Sequence, residues 1–174
     1  KPEDLSKPTD YDAEAKPVEG KYCLKVHFPR PPLRYFTNNM LMPENIRRLR
    51  TPNIINVSIG FNLYLGKTYE INAQHKGSRM LVEVAVGAFQ PVDEYKDARG
   101  NLQIVQEPHE NTRPLPVGSN WAKFNNRFSF GAKPAKNPKY KKHQDGTMPI
   151  GATLTFSLAG TGILYLDDVQ ILEY

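Results

Sequence analysis

Amides, carboxylates and one guanidinium recur at every second position in several stretches of the chain: Glu70, Asn72 and Gln74, then Glu83, then Asn125 and Arg127. Side chains of these types pair hydroxyl groups as donors and acceptors. An aromatic face can stack on the C–H face of a saturated ring. Phe89, Tyr95 and Tyr140 supply such faces, and Tyr35 and Phe36 lie in a further turn-rich segment. Asn72, Gln74, Glu83, Phe89, Tyr95, Asn125, Arg127 and Tyr140 are therefore the expected binding residues, for a ligand rich in hydroxyls.

Nucleophilic or acid–base chemistry is less well served. His27, His75, His109 and His143 are scattered, and no Gly-x-Ser-x-Gly, His-Glu-x-x-His or phosphate-binding Gly loop occurs. No catalytic residue is expected. His75 has core parity and reads as a satisfied core or edge histidine. Cys23, the only cysteine, forms no intramolecular disulfide and reads as a small buried thiol.

The elements that must hold these residues are strands. Period-two alternation of apolar and polar residues, the mark of half-buried strands, runs through 22–28, 56–65, 68–76, 80–89, 123–130, 152–158 and 163–172. A further strand is expected at 102–107. Gly66-Lys67 predicts a hairpin joining 56–65 to 68–76, and 159–162 predicts another joining the last two strands. Alternation places Tyr69, Ile71, Ala73, Val82, Val84, Val86, Phe124 and Phe128 inward. On that reading Asn72, Gln74, Glu83, Asn125 and Arg127 share one outer sheet face. The one helical candidate is 43–49, and 29–53, 91–119 and 132–149 read as long loops.

Strands at this spacing without intervening helices predict an all-β fold, a jelly-roll sandwich of two facing antiparallel sheets with long loops. The 174 residues suit one domain, with 1–17 extended or linker-like. The chain begins at Lys1 without a Met, so a segment upstream of it, removed or left out, is expected, which is compatible with export without showing it. No apolar run approaches the length of a membrane helix. The net charge of +5 permits an acidic partner, but basic and aromatic residues do not interleave as in nucleic-acid-binding proteins. Arg30, Arg34, Arg47, Arg48 and Arg50, with the lysines of 133–142 and His143, would favour an anionic ligand if they met in space.

Four stretches carry a family resemblance. Gly20-Lys21-Tyr22-Cys23-Leu24-Lys25-Val26 is similar to Gly-Lys-Tyr-Ala-Leu-Lys-Val, and Leu65-Gly66-Lys67-Thr68-Tyr69-Glu70-Ile71 contains Gly-Lys-Thr-Tyr. Asn120-Trp121-Ala122-Lys123-Phe124 resembles Glu-Trp-Gln-Arg-Tyr. The stretch from Gly162 to Ile171, with Tyr165-Leu166-Asp167-Asp168-Val169, resembles Gly-Thr-Val-Tyr-Leu-Asp-Asp-Val-Ser-Leu. Together they resemble the non-catalytic carbohydrate-binding modules of families four, nine and twenty-two, which have a galactose-binding-like β-sandwich. Gln74 stands where those modules often have Trp, and their opening strand is not recognisable in 1–18.

The resemblance implies binding of a polysaccharide or oligosaccharide outside the cytoplasm or at the cell surface, targeting an associated enzyme or a cell to glycan. A larger glycan-degrading parent protein is a further implication. It also implies a structural calcium held by Asp168, or Asp167 in its place, with the carbonyl of Lys21, and a structural position for Trp121 at the core edge. Without the metal, Asp167 reads as solvated and Asp168 as an acceptor for loop amides. The rival readings are a jelly-roll lyase or glycosidase and a protein-interaction module of the same fold.

Overall fold

The computed structural model describes residues 16–28, 55–77, 81–159 and 162–174. The expected helix at 43–49, the arginines of 29–53, and Tyr35 and Phe36 lie outside the described residues. Eight strands dominate: β1 (Leu24–Phe28), β2 (Ile55–Leu63), β3 (Thr68–Gly77), β4 (Leu81–Lys96), β5 (Leu102–Leu115), β6 (Ala122–Ser129), β7 (Ile150–Ala159) and β8 (Gly162–Glu173). A 3-10 turn (Pro138–Tyr140) and a single helical turn, α1 (Lys141–Gln144), interrupt the segment before β7.

Two four-stranded antiparallel sheets result. Sheet A has the order β1-β8-β3-β6 and sheet B the order β2-β7-β4-β5. Inward parity of both sheets is apolar, so their facing sides make one core: Leu63, Tyr69, Ile71 and Ala73 meet Val82, Val84, Val86, Phe124, Phe128, Leu154, Phe156, Leu164 and Leu166. Each large apolar side chain fully removed from water contributes about 1.5–3 kcal/mol. That is what fixes strand register, because a one-residue slip would turn the oily row outward.

Both predicted hairpins are sheet-to-sheet crossings instead. β2 pairs with β7 while β3 pairs with β6 and β8. The turn between β2 and β3 is an arch: Leu65 is buried with the core, Gly66 takes a positive φ of 81°, and its N–H donates to the Phe130 carbonyl. β7 and β8 likewise part, β7 to β2 and β4, β8 to β1 and β3.

The stretch 91–119 is not a loop. β4 and β5 pair along nearly their whole length, from Val82↔Leu115 to Lys96↔Leu102. Beyond a bulge between Pro91 and Asp93 the hairpin extends as an arm. Its tip is set by Asp97, whose carboxylate accepts the N–H groups of Arg99 and Asn101 and the side-chain amides of Asn101 and Gln103. Segment 132–149 braces the arm: the N–H groups of Lys136 and Asn137 donate to the Val92 carbonyl, and Lys139 Nζ and the Tyr140 hydroxyl donate to Glu94 at 2.7 and 2.6 Å.

A second bulge shapes sheet A. Gln74 pairs with Asp167, but Asn72 pairs with Gln170, and Asp168 between them has a φ of 46°. The extra residue switches parity, so that Leu164 and Leu166 face the core before it and Val169 and Ile171 after it.

Candidate functional site

The outer face of sheet A carries four of the expected residues, Asn72, Gln74, Asn125 and Arg127, with Glu70 among them. Glu70 pairs in register with Arg127, and Asn72 with Asn125. Arg127 Nη2 lies 3.0 Å from Glu70 Oε2, and Asn125 Nδ2 donates to Glu70 Oε1 (2.6 Å) and to Asn72 Oδ1 (2.8 Å). Asn72 Nδ2 donates to Glu70 Oε1, and these bonds from Asn72 and then Arg127 hold the Glu70 carboxyl below its ordinary range. Asn72 is buried, and the Arg127 guanidinium lies 4.9 Å from the Tyr174 ring. The groups satisfy one another, so both N–H bonds of Asn125 are committed before any ligand arrives.

A strap also crosses this face. The Trp121 indole N–H donates to the Lys16 carbonyl, and Asp167 Oδ2 accepts the N–H groups of Val18 (2.6 Å) and Glu19 (3.1 Å). Gln74 pairs with both Lys123 and Asp167, so residues 16–19 bridge the sheet at the level of Gln74. Trp121 therefore has a structural role. The expected division between the aspartates is reversed among the described residues: Asp167 accepts loop amides, and Asp168 Oδ1 accepts the Gln170 side-chain amide.

Calcium needs six to eight oxygen ligands. Among the described residues no cluster of three or more His, Cys, Asp or Glu could hold a metal. Asp167 is already engaged by the strap, and Lys21 lies in an exposed bend.

Glu83 is not part of this face, contrary to expectation. It lies on β4 in sheet B, paired with Pro114 and Ser157, on the opposite side of the sandwich. Alternation in β3 and β4 has the same form, and only the pairing shows that the two strands belong to different sheets. Phe89 shares the outward parity of Glu83, and its side chain is 55% exposed. Tyr95 is exposed on the arm, remote from the sheet A residues. Tyr140 is buried, with its hydroxyl on Glu94, which raises the Tyr140 pKa. It positions the arm and offers no free ring face.

Between Glu83 and Phe89 the outer face of sheet B is open and rich in hydroxyls. One cross-strand row reads Ser58, Thr155, Ala85, Thr112, and the next reads Gly60, Thr153, Gly87, Glu110. Ser58 and Thr155 share a hydrogen bond at 3.1 Å. Among the described residues, a Cβ placed on Gly60, Gly87 or Gly151 would meet nothing within 4 Å, so they leave the space directly above the floor free. Asn56, Asn62 and Ser157 flank it. No outward position of these four strands between Glu83 and Phe89 carries Lys or Arg in a protein of net charge +5. The residues of this floor, apart from Glu83 and Phe89, were missed because short Ser, Thr and Gly side chains look in sequence like any wet strand face.

The described histidines do not form a catalytic group. His75 is buried in the core, and its Nδ1 has no hydrogen-bond partner among the described residues, contrary to the expected satisfied histidine. His109 Nε2 meets Gln90 Oε1 at 3.2 Å, and His143 stacks near Tyr140. Among the described residues none of these three bonds a carboxylate.

The sequence matches no protein-family model and no curated protein. Solved structures with a similar fold include the CBM22-1 xylan-binding domain from Paenibacillus barcinonensis Xyn10C, 14% identical, with a TM-score of 0.45 over 92% of this chain and 77% of that one. They include the N-terminal cellulose-binding domain of Cellulomonas fimi β-1,4-glucanase C, 14% identical, with a TM-score of 0.45 over 87% of this chain and 78% of that one. The enzymatically active domain of bacteriophage CBA120 tailspike protein 4 is also similar, at 11% identity and a TM-score of 0.44, over 88% of this chain and 19% of that one. Most of the similar structures are carbohydrate-binding modules, with enzymes among them, and the chain's function has to be read from its own surface.

Proposed function

We propose that the chain binds a polysaccharide across the outer face of sheet B and performs no chemistry on it. The observation that carries this reading is the open floor of Gly, Ala, Ser and Thr between Glu83 and Phe89. A pyranose offers an apolar C–H face and a rim of hydroxyls. Phe89 suits the first, held out in water on a rigid strand, and Thr153, Thr155, Ser58, Glu83 and Glu110 suit the second. A wet structural face would serve the fold equally well without an exposed Phe in its row. Two carboxylates and no Lys or Arg among the outward residues of the described floor favour a neutral glycan over a sulfated or uronic one.

The same reading gives the chain a targeting role, holding an associated enzyme or a cell on polysaccharide outside the cytoplasm. Recovery of the native protein from the cytoplasmic fraction alone would contradict that setting. Binding itself is tested by affinity electrophoresis through gels containing soluble glucans, xylans, mannans and polyuronates. The wild type is expected to be retarded by a neutral polymer, and Phe89→Ala to weaken the interaction by about 1–3 kcal/mol with an unchanged melting temperature. Equal retardation of Phe89→Ala and wild type would remove Phe89 from the site, and retardation by polyuronates alone would contradict the neutral-ligand reading.

A further inference from the structure

The face just described does not stop at Phe89. β5 is the edge strand of sheet B, and its even-numbered residues continue the outward row: Pro108, opposite Phe89, then Gln106, Ile104 and Leu102. Leu102 and Ile104 are 54% and 53% exposed, as open as Phe89. From Leu102 to Pro108 is six strand steps, about 20 Å at the usual rise of a strand. An exposed run of Leu102, Ile104 and Pro108, interrupted by Gln106 and facing Lys96 and Glu94 on β4, puts more large apolar surface in water than the fold requires and signals contact with something. The arm that carries it is held by Asp97 at its tip, by Lys139 and Tyr140 on Glu94 opposite Ile104, and by Lys136 and Asn137 on the Val92 carbonyl at its base, so the row is presented in a fixed direction.

We infer that this arm extends the glycan site into one for a packed, insoluble polysaccharide surface, an inference that rests on the sheet B reading above. A single dissolved chain is held best in a concave site that covers it from several sides. Here the row lies on the edge strand and the floor beneath it is glycine and alanine, so a ligand is touched from one side only. Chains packed side by side present an extended face of C–H groups that can meet Phe89, Pro108, Ile104 and Leu102 together. Charge favours this occupant over others: on this face Glu83, Glu94 and Glu110 stand against Lys96, opposite Leu102, and Lys139, bound to Glu94, so it offers no net cationic surface to anionic membranes or nucleic acids, whereas a neutral solid is indifferent to charge.

The test compares solid and dissolved forms of the same sugars. Depletion of the wild-type chain from solution is measured on microcrystalline cellulose, insoluble xylan and crystalline chitin, and binding of the matching hexasaccharides is measured by calorimetry. A variant with both Leu102→Ser and Ile104→Ser is run beside it, with its melting temperature checked, since both side chains lie outside the core. The inference predicts that the wild type is depleted by at least one solid, and that the double variant loses about tenfold or more in that affinity while hexasaccharide binding changes by less than about twofold. Unchanged depletion by the double variant, or hexasaccharide binding with no depletion, overturns the inference and leaves the sheet B site standing. Binding of neither form by the wild type overturns both. A wild-type dimer in sedimentation that the double variant converts to monomer would show that a second copy covers the row, and would also overturn it.

Discussion

His75 shows how a single residue can conflict with the element that holds it. Its place on β3 has the parity of Tyr69, Ile71 and Ala73, so its ring is in the core with one nitrogen unpaired among the described residues. Burial lowers its pKa, and burial followed by the nearby Lys133 lowers that of His109. For both groups the unfolded chain takes up protons first, near the ordinary histidine value of about 6.5. Stability is therefore fully present above that pH and is lost as pH falls from there through the lower folded values. Thermal melts between pH 7.5 and 5 are expected to show a falling midpoint, and His75→Leu to narrow that fall. A midpoint that falls equally in His75→Leu would show that the ring does not contribute to the acid limb. The parity of His75 was legible in the sequence, but its missing partner was not, because a hydrogen bond depends on neighbours from other strands.

At the scale of elements, the strands with one buried face were readable and the connections were not. Alternation marks β2, β3, β6 and β7 because each has the core on one side and water on the other. β5 escaped beyond residue 107 for the opposite reason: most of its positions on both faces are exposed, so no period appears. The bulge in β8 did leave a trace, in the change from even apolar positions at Leu164 and Leu166 to odd ones at Val169 and Ile171. The two hairpins were misjudged because a tight turn between amphipathic strands looks the same whether the chain folds back within a sheet or arches to the other one. Leu65, buried inside its turn, marks the arch in retrospect. The bulge also aims Asp167 at the strap. Asp167→Ala removes the hydrogen bonds its carboxylate accepts from the exposed amides of Val18 and Glu19 and from the Asp168 N–H, and a cost of about 1–2 kcal/mol is expected, with faster hydrogen exchange at Val18 and Glu19. Unchanged protection of those two amides would show that Trp121 alone holds the strap.

For the whole molecule, the main point is that its two outer faces differ. Sheet A is crossed by the strap and carries a network in which Glu70, Asn72, Asn125 and Arg127 satisfy one another. Among the described residues no strap crosses sheet B, which is hydroxyl-lined and continuous with the exposed row of the arm. In sequence the polar residues of the two faces merge into a single set, because alternation reports which side of a strand is wet but not which sheet the strand joins. Half of the expected binding residues thus went to a face whose polar groups are committed to one another, and most of the hydroxyl-lined floor went unnoticed. Chemical-shift mapping of the isotopically labelled chain with a soluble neutral hexasaccharide that binds it tests this assignment most directly. The account predicts that perturbed amides cluster at Gly60, Gly87, Phe89 and Thr153; perturbations confined to Asn72, Asn125 and Arg127 would contradict it.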